Sequence, residues 1–309
     1  MNVVDAVDKK ILLELDINCR ISFEELGRKL EMTSNAVKKR FDKLVESGVI
    51  DHFVVAFKPA MTGAEYLIAE VSTDGSEDEE EFVSHIGNND MTVQVGLLAG
   101  GEGRLYMVHA EYIGSEGLLE LSSFLRNLDS VIKVEIHTIA TDPGKKVDLT
   151  NMHLRVLRHL IDDPRMIISE LARRSGLTAR RVRKLLTDLI EGRGFWFSAR
   201  WNLSAGESTE FYVHIEYNEQ KGTAEELEQW LREEYPQEYW YSYASALEPV
   251  VYAKFVTEHF REAETITRAI TAAHLTKATR TMICYPVKKF PRLGQVKLQE
   301  KLAASGLWP

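Results

Sequence analysis

Cysteine is nearly absent: among 309 residues only Cys19 and Cys284 carry thiols, far apart in the chain. That excludes a disulfide framework or a Cys-based zinc site and makes the reducing cytoplasm the expected compartment. Long apolar runs are missing too, none approaching the roughly 18–20 residues needed to cross a bilayer. The start, Met1-Asn2-Val3-Val4-Asp5, has no basic stretch leading into an apolar one, so neither a signal peptide nor a membrane role is expected. The catalytic signatures G-x-x-x-x-G-K-[ST], H-E-x-x-H and G-x-S-x-G do not occur, and Gly100-Gly101-Glu102-Gly103 does not extend to G-x-G-x-x-G. The nine histidines show no metal-ligand spacing near a cysteine. No metal, no cofactor and no enzymatic activity are therefore expected. Positive charge is also short, 38 Lys and Arg against 47 Asp and Glu, net −9. What is present, 44% apolar and 28% charged positions, is ordinary globular composition for two domains or slightly more.

The chain repeats itself at a shift of 145 residues. Glu25-Leu26-Gly27-Arg28-Lys29-Leu30 falls on Glu170-Leu171-Ala172-Arg173-Arg174-Ser175, and Val37 and Leu44 fall on Val182 and Leu189. Tyr66-Leu67-Ile68-Ala69 meets Phe211-Tyr212-Val213-His214, and Leu105-Tyr106-Met107-Val108 meets Val250-Val251-Tyr252-Ala253. A single helix could match by chance; a whole half cannot easily do so without duplication. Two copies of a two-part unit are expected, about 1–142 and 148–287, joined by Asp142-Pro143-Gly144-Lys145-Lys146.

In the first part of copy one, Val7, Ile11, Leu12 and Leu15 are spaced for one helical face. Ser22-Phe23-Glu24-Glu25 reads as a capping box for a second helix to Leu30. A turn at Met32-Thr33-Ser34 opens a third helix over about 34–47, closed by Gly48, and 49–57 reads as a β-hairpin or wing. Copy two repeats the plan over about 150–161, 168–175, 178–191 and a wing at 195–202. This predicts two winged helix-turn-helix domains, residues 1–57 and 148–203. The third helices present Ser34, Asn35, Lys38, Lys39 and Arg40 in one copy, and Thr178, Arg180, Arg181, Arg183 and Lys184 in the other. A charged helix face is usually just solvated. Two of them, each third in a helix-turn-helix, point instead to the N-terminal part of recognition helices, where side chains meet bases and phosphates of double-stranded DNA.

Residues 5–50 resemble the Lrp/AsnC family of transcription regulators. The resemblance rests on Asp8-Lys9-Lys10-Ile11-Leu12, on Arg20-Ile21-Ser22-Phe23-Glu24-Glu25-Leu26, and above all on Val37-Lys38-Lys39-Arg40 running on to Glu46-Ser47-Gly48-Val49-Ile50. Copy two keeps Ile168-Ser169-Glu170-Leu171-Ala172 and Gly176-Leu177-Thr178 but ends on Glu191-Gly192-Arg193-Gly194-Phe195.

The second part of each copy reads β-α-β-β-α-β, a ferredoxin-like plan, at 64–142 and 204–287. The fold class is therefore α+β, with helix-turn-helix and ferredoxin-like domains alternating. The resemblance implies an effector and oligomerisation role for the sheet domains, with paired sheets, homo-oligomers, and a small-molecule effector such as an amino acid. Within one chain it implies an intramolecular pseudo-dimer. The family's effector loop corresponds to Gly100, Gly101, Gly103 and Arg104, which read more simply as a long hairpin. The run Tyr239-Trp240-Tyr241-Ser242-Tyr243 reads as strand core, with a pocket lining as the alternative.

Charge is segregated. Residues 1–57 carry net −1, 64–142 net −13, 148–203 net +5, 204–287 net −7, and a basic tail at 288–309 net +4. A phosphate-binding face needs a local positive field, not a positive protein. The second winged helix should thus supply more of the non-specific affinity and the first more of the base reading. The tail, with Lys288, Lys289, Arg292, Lys297 and Lys301, either tracks DNA or docks on an acidic sheet domain. The expected function is a sequence-specific, cytoplasmic transcription regulator reading two unlike half-sites. One enzyme class, the siroheme decarboxylases, resembles this architecture, being built of paired Lrp/AsnC-like units. A polycarboxylate tetrapyrrole wants a basic pocket, whereas these sheet domains hold 10 basic against 30 acidic residues. A sequence-tolerant chromatin protein is the remaining alternative.

Overall fold

The computed structural model describes residues 4–99, 104–206 and 208–307, which fall into two compact units. Copy one begins with α1 (Ala6–Ile17), α2 (Phe23–Leu30), α3 (Ser34–Glu46), β1 (Ile50–Phe57) and a single turn, α4 (Pro59–Thr62). It continues with β2 (Ala64–Thr73), α5 (Glu79–Gly87), β3 (Thr92–Ala99), β4 (Arg104–Ile113), α6 (Gly114–Arg126) and β5 (Val131–Ile139). Copy two supplies α7 (Asn151–Leu160), α8 (Ile168–Ser175), α9 (Ala179–Glu191) and β6 (Phe195–Trp201). Its second part is β7 (Thr209–Tyr217), α10 (Ala224–Glu234), β8 (Tyr239–Ala244), β9 (Val250–Thr257), α11 (Phe260–Ala272) and β10 (Thr276–Cys284). The chain closes on β11 (Lys288–Lys289) and α12 (Leu293–Ala304).

The helical unit combines α1–α4 with β1, α7–α9 with β6, and α12. Its helices start where the caps sit. Asp5 accepts from the Val7 and Asp8 amides, Ser22 from Glu25, and Thr150 from His153. Ile11, Leu12, Leu15, Leu26 and Val37 are fully buried in copy one, as are Val156, Leu157, Leu160, Val182 and Leu189 in copy two. The expected wings are single strands, not hairpins. Neither segment contains a turn that could fold it back, so each open edge is satisfied by the other copy: β1 pairs antiparallel with β6 from Ile50↔Trp201 to Phe57↔Phe195. Phe53 faces Ala199 and Val54 faces Ser198. At the 145-residue shift Phe53 matches Ser198 and Val54 matches Ala199, so the ribbon is self-complementary about these four residues.

Among the described residues, the basic segment is no free tail as far as residue 307. Lys288 and Lys289 pair with Val95 and Gln94 of β3, and Lys288 Nζ donates to Ser84 at 2.8 Å, so this part docks on the first, acidic sheet domain. Further on, Leu293–Ala304 form α12, whose Leu298 and Leu302 are fully buried in the helical core beside Phe57. Two such side chains contribute about 1.5–3 kcal/mol each. A docking Leu pair, invisible to charge counting, decides where this segment goes.

In the sheet unit each copy forms an antiparallel four-stranded sheet, β5-β2-β4-β3 and β10-β7-β9-β8, with its two helices on one face. This is the ferredoxin-like order expected of β-α-β-β-α-β. The sheets join at one edge where Ile283 and Cys284 of β10 pair with Ala99 and Leu98 of β3. They join at the other where Ile139 bridges Ser245. The expected intramolecular pairing of the two sheet domains is thus present, with Tyr66, Ile68, Leu105 and Met107 packed against Tyr212, Tyr252 and Met282 between the sheets.

The repeat at the 145-residue shift is one residue out at β2 and β7. Tyr66 and Ile68 lie between the sheets, while Phe211, aligned with Tyr66, packs under the helices; Tyr212 takes the inter-sheet position. A one-residue slip turns a strand's side chains over, which apolar matching alone does not detect. The inter-sheet layer is also polar. Buried Glu70 accepts from Arg280 at 2.6 and 2.8 Å and from the Tyr252 hydroxyl at 2.8 Å. Lys254, 4% exposed, contacts Glu210 at 2.8 Å and donates to Cys284 Sγ at 3.3 Å. Of the aromatic run in β8, Tyr239 and Trp240 are buried and Tyr239 belongs to the helix-side core, the strand-core reading.

Candidate nucleic-acid interface

The turn into α3 is tight. A Cβ on Gly27 would lie 2.5 Å from the Met32 carbonyl oxygen, so only glycine permits this approach between α2 and the turn. Thr33 then caps α3, its hydroxyl accepting from the Ala36 amide at 3.2 Å, and Thr178 caps α9 in the same way through Arg181 at 3.3 Å. Fully buried Val37 and Val182 fix which face of each helix is left to solvent.

On α3 that face carries Ser34, Asn35, Lys38 and Lys39, all exposed. Lys38 is paired with Asp42 one turn on, at 2.5 Å. An exposed pair of this kind is worth only about 0.3–0.5 kcal/mol and yields readily to a phosphate. Arg40 stands apart from its neighbours. Its Nη1 bonds Asp5 at 2.7 Å and the buried Asp8 at 2.8 Å, which ties α3 to the start of α1. The carboxylates hold its proton affinity above the ordinary arginine value, chiefly through the Asp8 hydrogen bond. Arg40 is therefore placed as a strut of the domain rather than on the open face.

On α9, Arg180, Arg183 and Lys184 are exposed, and no acidic group pairs with them among the described residues. Arg181 differs: it is half-buried, its Nε is enclosed without a hydrogen-bond partner, and its charge opposes protonation of His153. Burial is the largest cause of the lowered His153 proton affinity, with Asp188 at 3.8 Å acting the other way. Thr178 spends its hydroxyl on the cap. Arg173 and Arg174 of α8 add basic surface but share Glu170, whose carboxyl they hold down at about 2.

Sequence reasoning missed a second pair of arginines. Arg20 in the α1–α2 turn donates Nη1 to the Pro164 carbonyl and Nη2 to the Met166 carbonyl, the latter at 2.8 Å. Arg165, its match at the 145-residue shift, donates Nη1 to the Cys19 carbonyl. Its guanidinium carbon lies 4.8 Å from the Phe41 ring centroid, 5.4 Å from Phe53 and 5.5 Å from Phe23. Burial lowers the proton affinity of both arginines. The repeat alignment puts the two arginines in register, which is the signal that could have exposed them.

Of the expected effector loop, Gly100, Gly101 and Gly103 lie outside the described residues. Arg104 donates to the Glu77 carbonyl oxygen at 3.0 Å and approaches its carboxylate at 3.6 Å, so its charge is already answered within the domain. No cluster of three or more His, Cys, Asp or Glu suited to a metal occurs among the described residues. No helix among them is long and apolar enough to cross a membrane.

Comparison with known proteins agrees with this geometry. Residues 4–45 match an AsnC-type helix-turn-helix domain and residues 149–192 a winged helix-turn-helix DNA-binding domain. An uncharacterised helix-turn-helix-type transcriptional regulator of Pyrococcus horikoshii is 42% identical over 66 residues, 21% of this chain and 42% of that protein. The helix-turn-helix-type transcriptional regulator LrpA of Bacillus subtilis is 42% identical over 48 residues, 16% of this chain and 35% of its own. The chain thus spans less than half the length of these relatives. An uncharacterised regulator of Pyrococcus furiosus matches more broadly, 28% identical over 43% of this chain and 85% of that protein. Among solved structures, the siroheme decarboxylase NirDL is similar with a TM-score of 0.54 and 14% identity, covering 98% of this chain and all of that one. At that identity the likeness speaks for the fold alone.

Proposed function

We propose, for a chain of the Lrp/AsnC family with two helix-turn-helix domains, that it is a DNA-binding transcription regulator reading two unlike half-sites through α3 and α9. The observation that carries this reading is the pair of Thr-capped third helices with exposed polar and basic N-terminal faces. The faces are unequal. Ser34, Asn35 and Lys39 on α3 suit base edges, while Arg180, Arg183 and Lys184 on α9 supply positive charge to phosphates. The half-buried Arg181 and the strut Arg40 support the fold around those contacts. A small-molecule effector such as an amino acid, and further oligomerisation through the sheet domains, belong to the same proposal.

The fold likeness to a siroheme decarboxylase favours a second reading, in which the sheet unit holds a polycarboxylate tetrapyrrole. Its interior supports that less well. The buried Lys254 and the half-buried Arg280, which could receive carboxylates, already face Glu210 and Glu70.

Selection of binding sequences from random duplex DNA, followed by salt titration, tests the proposal. The expected result is one enriched motif with unlike halves. Replacing Arg180, Arg183 and Lys184 by alanine should then weaken binding to all sequences and flatten the salt slope by roughly one unit per lost phosphate contact. No binding at low salt refutes the reading and directs the protein to tetrapyrrole titration.

A further inference from the structure

The two arginines just described sit at the junction of the helix-turn-helix copies. Arg20, from copy one, holds two carbonyls of the α7–α8 turn of copy two; Arg165, from that turn, holds the Cys19 carbonyl in the α1–α2 turn of copy one. The contact is reciprocal, like the β1–β6 ribbon, and Arg165 reaches the ribbon itself through Phe53. It also reaches α3. Phe41 lies on that helix and stacks on Phe53 at 6.1 Å, with Phe23 edge-on at 5.1 Å. The residues matching this aromatic cage in copy two are Ile168, Leu186 and Ser198, none of them aromatic.

We propose that Arg20 and Arg165 are positioning residues that fix the separation and mutual rotation of α3 and α9, and with them the half-site spacing of the DNA the unit reads. A flat guanidinium suits this role because its donors lie in a rigid fork, so each carbonyl it bonds is held in direction as well as distance. The same junction carries the β1–β6 ribbon, a bond from the Cys19 amide to the Phe197 carbonyl and one from the Ser198 hydroxyl to Asp16, and the two arginines add the contacts between the turns. Two recognition helices joined in one body select half-sites about one helical turn of DNA apart, and a loosened junction accepts a range. This inference rests on the DNA-binding reading for its functional half only.

The test separates the two halves. Spin labels on Lys43→Cys and Thr187→Cys, exposed positions on α3 and α9, in a Cys284→Ser background report the inter-helix distance without DNA. The unaltered clasp should give one narrow distribution, and Arg165→Leu and Arg20→Leu a broad or displaced one. With duplexes carrying the selected half-sites at spacings changed by one to four base pairs, discrimination among spacings should fall at least tenfold in the leucine variants, while the salt slope stays within half a unit. Arg165→Lys, which keeps the charge and one donor nitrogen but not the planar fork, should restore part of both. Should the leucine variants fail to fold, judged by circular dichroism, Arg165→Lys and Arg20→Lys carry the test through intermediate broadening. An unchanged distance distribution overturns the clasp whatever the DNA result. Broadening with an unchanged spacing preference overturns its role in spacing. Absence of DNA binding by the parent protein defeats the DNA reading and leaves the distance measurement to decide the clasp.

Discussion

Arg280 and Glu70 hold the two sheets together through a buried contact, and its energetics can be worked from the geometry. The Glu70 side chain is 2% exposed and receives two bonds from one Arg280 nitrogen and one from Tyr252. Arg280→Met keeps a stem to pack on the strand and leaves the carboxylate with Tyr252 alone. Breaking a buried pair from one side costs about 3–5 kcal/mol. The Arg280 side chain is 35% exposed, so water softens the loss and about 3 kcal/mol is expected. Glu70→Gln preserves shape and the Tyr252 contact, and Arg280 can turn to solvent, so about 1–2 kcal/mol is expected. The double variant buries no uncompensated charge and should cost clearly less than the sum, a coupling of about 2 kcal/mol. For a chain of 309 residues, with about 2.1 cal/mol/K of unfolding entropy per residue, a loss of about 3 kcal/mol lowers the melting midpoint by roughly 4–6 °C. Urea unfolding of all four proteins gives the cycle, and hydrogen exchange in β2 and β10 peptides assigns the loss to this contact. Costs that add to within about 0.5 kcal/mol would refute the argument.

Stability should fall on acidification. His153, His159 and His214 all bind protons more weakly in the fold than the ordinary 6.5, mainly because burial disfavours the charged ring. The unfolded chain then takes up protons first, so stability declines as pH drops below about 6.5. His214→Gln should make that decline shallower in thermal melts from pH 7.5 to 5, and an identical slope would contradict it. Burial pushes the Cys19 thiol up to about 12. Iodoacetamide at pH 8 should therefore leave Cys19 unmodified by mass spectrometry until urea unfolds the chain; rapid labelling of the folded protein would be inconsistent with this. A Cβ on Gly294 would stand 2.2 Å from the Phe57 carbonyl oxygen. Gly294→Ala should displace α12 and cost about 1–3 kcal/mol, seen as faster exchange of α12 amides, whereas an unchanged exchange rate would show that the contact relaxes freely.

Local signals placed nearly every element. The Thr33 and Thr178 caps, the Val37 and Val182 positions and the alternating strands depend on neighbours within a few residues, so the sequence carried the two helix-turn-helix domains and both β-α-β-β-α-β units with little boundary error. Duplication was legible for the same reason, since the same local patterns recur at one shift. The tertiary structure decided what those elements face. An open strand edge does not name its partner in sequence, so β1 and β6 read as wings and turned out to pair with each other. Apolar matching cannot tell the two faces of a buried strand apart, hence the one-residue slip between Tyr66 and Phe211. Charge along a helix does not reveal which cations are answered; Arg40 finds Asp5 and Asp8, Arg181 is half-buried with its Nε unpartnered, and Lys39 and Arg183 stay outside. Arg20 and Arg165, 145 residues apart, meet across the junction because two copies fold against each other, and only that packing gives these half-buried guanidinium groups their carbonyl partners.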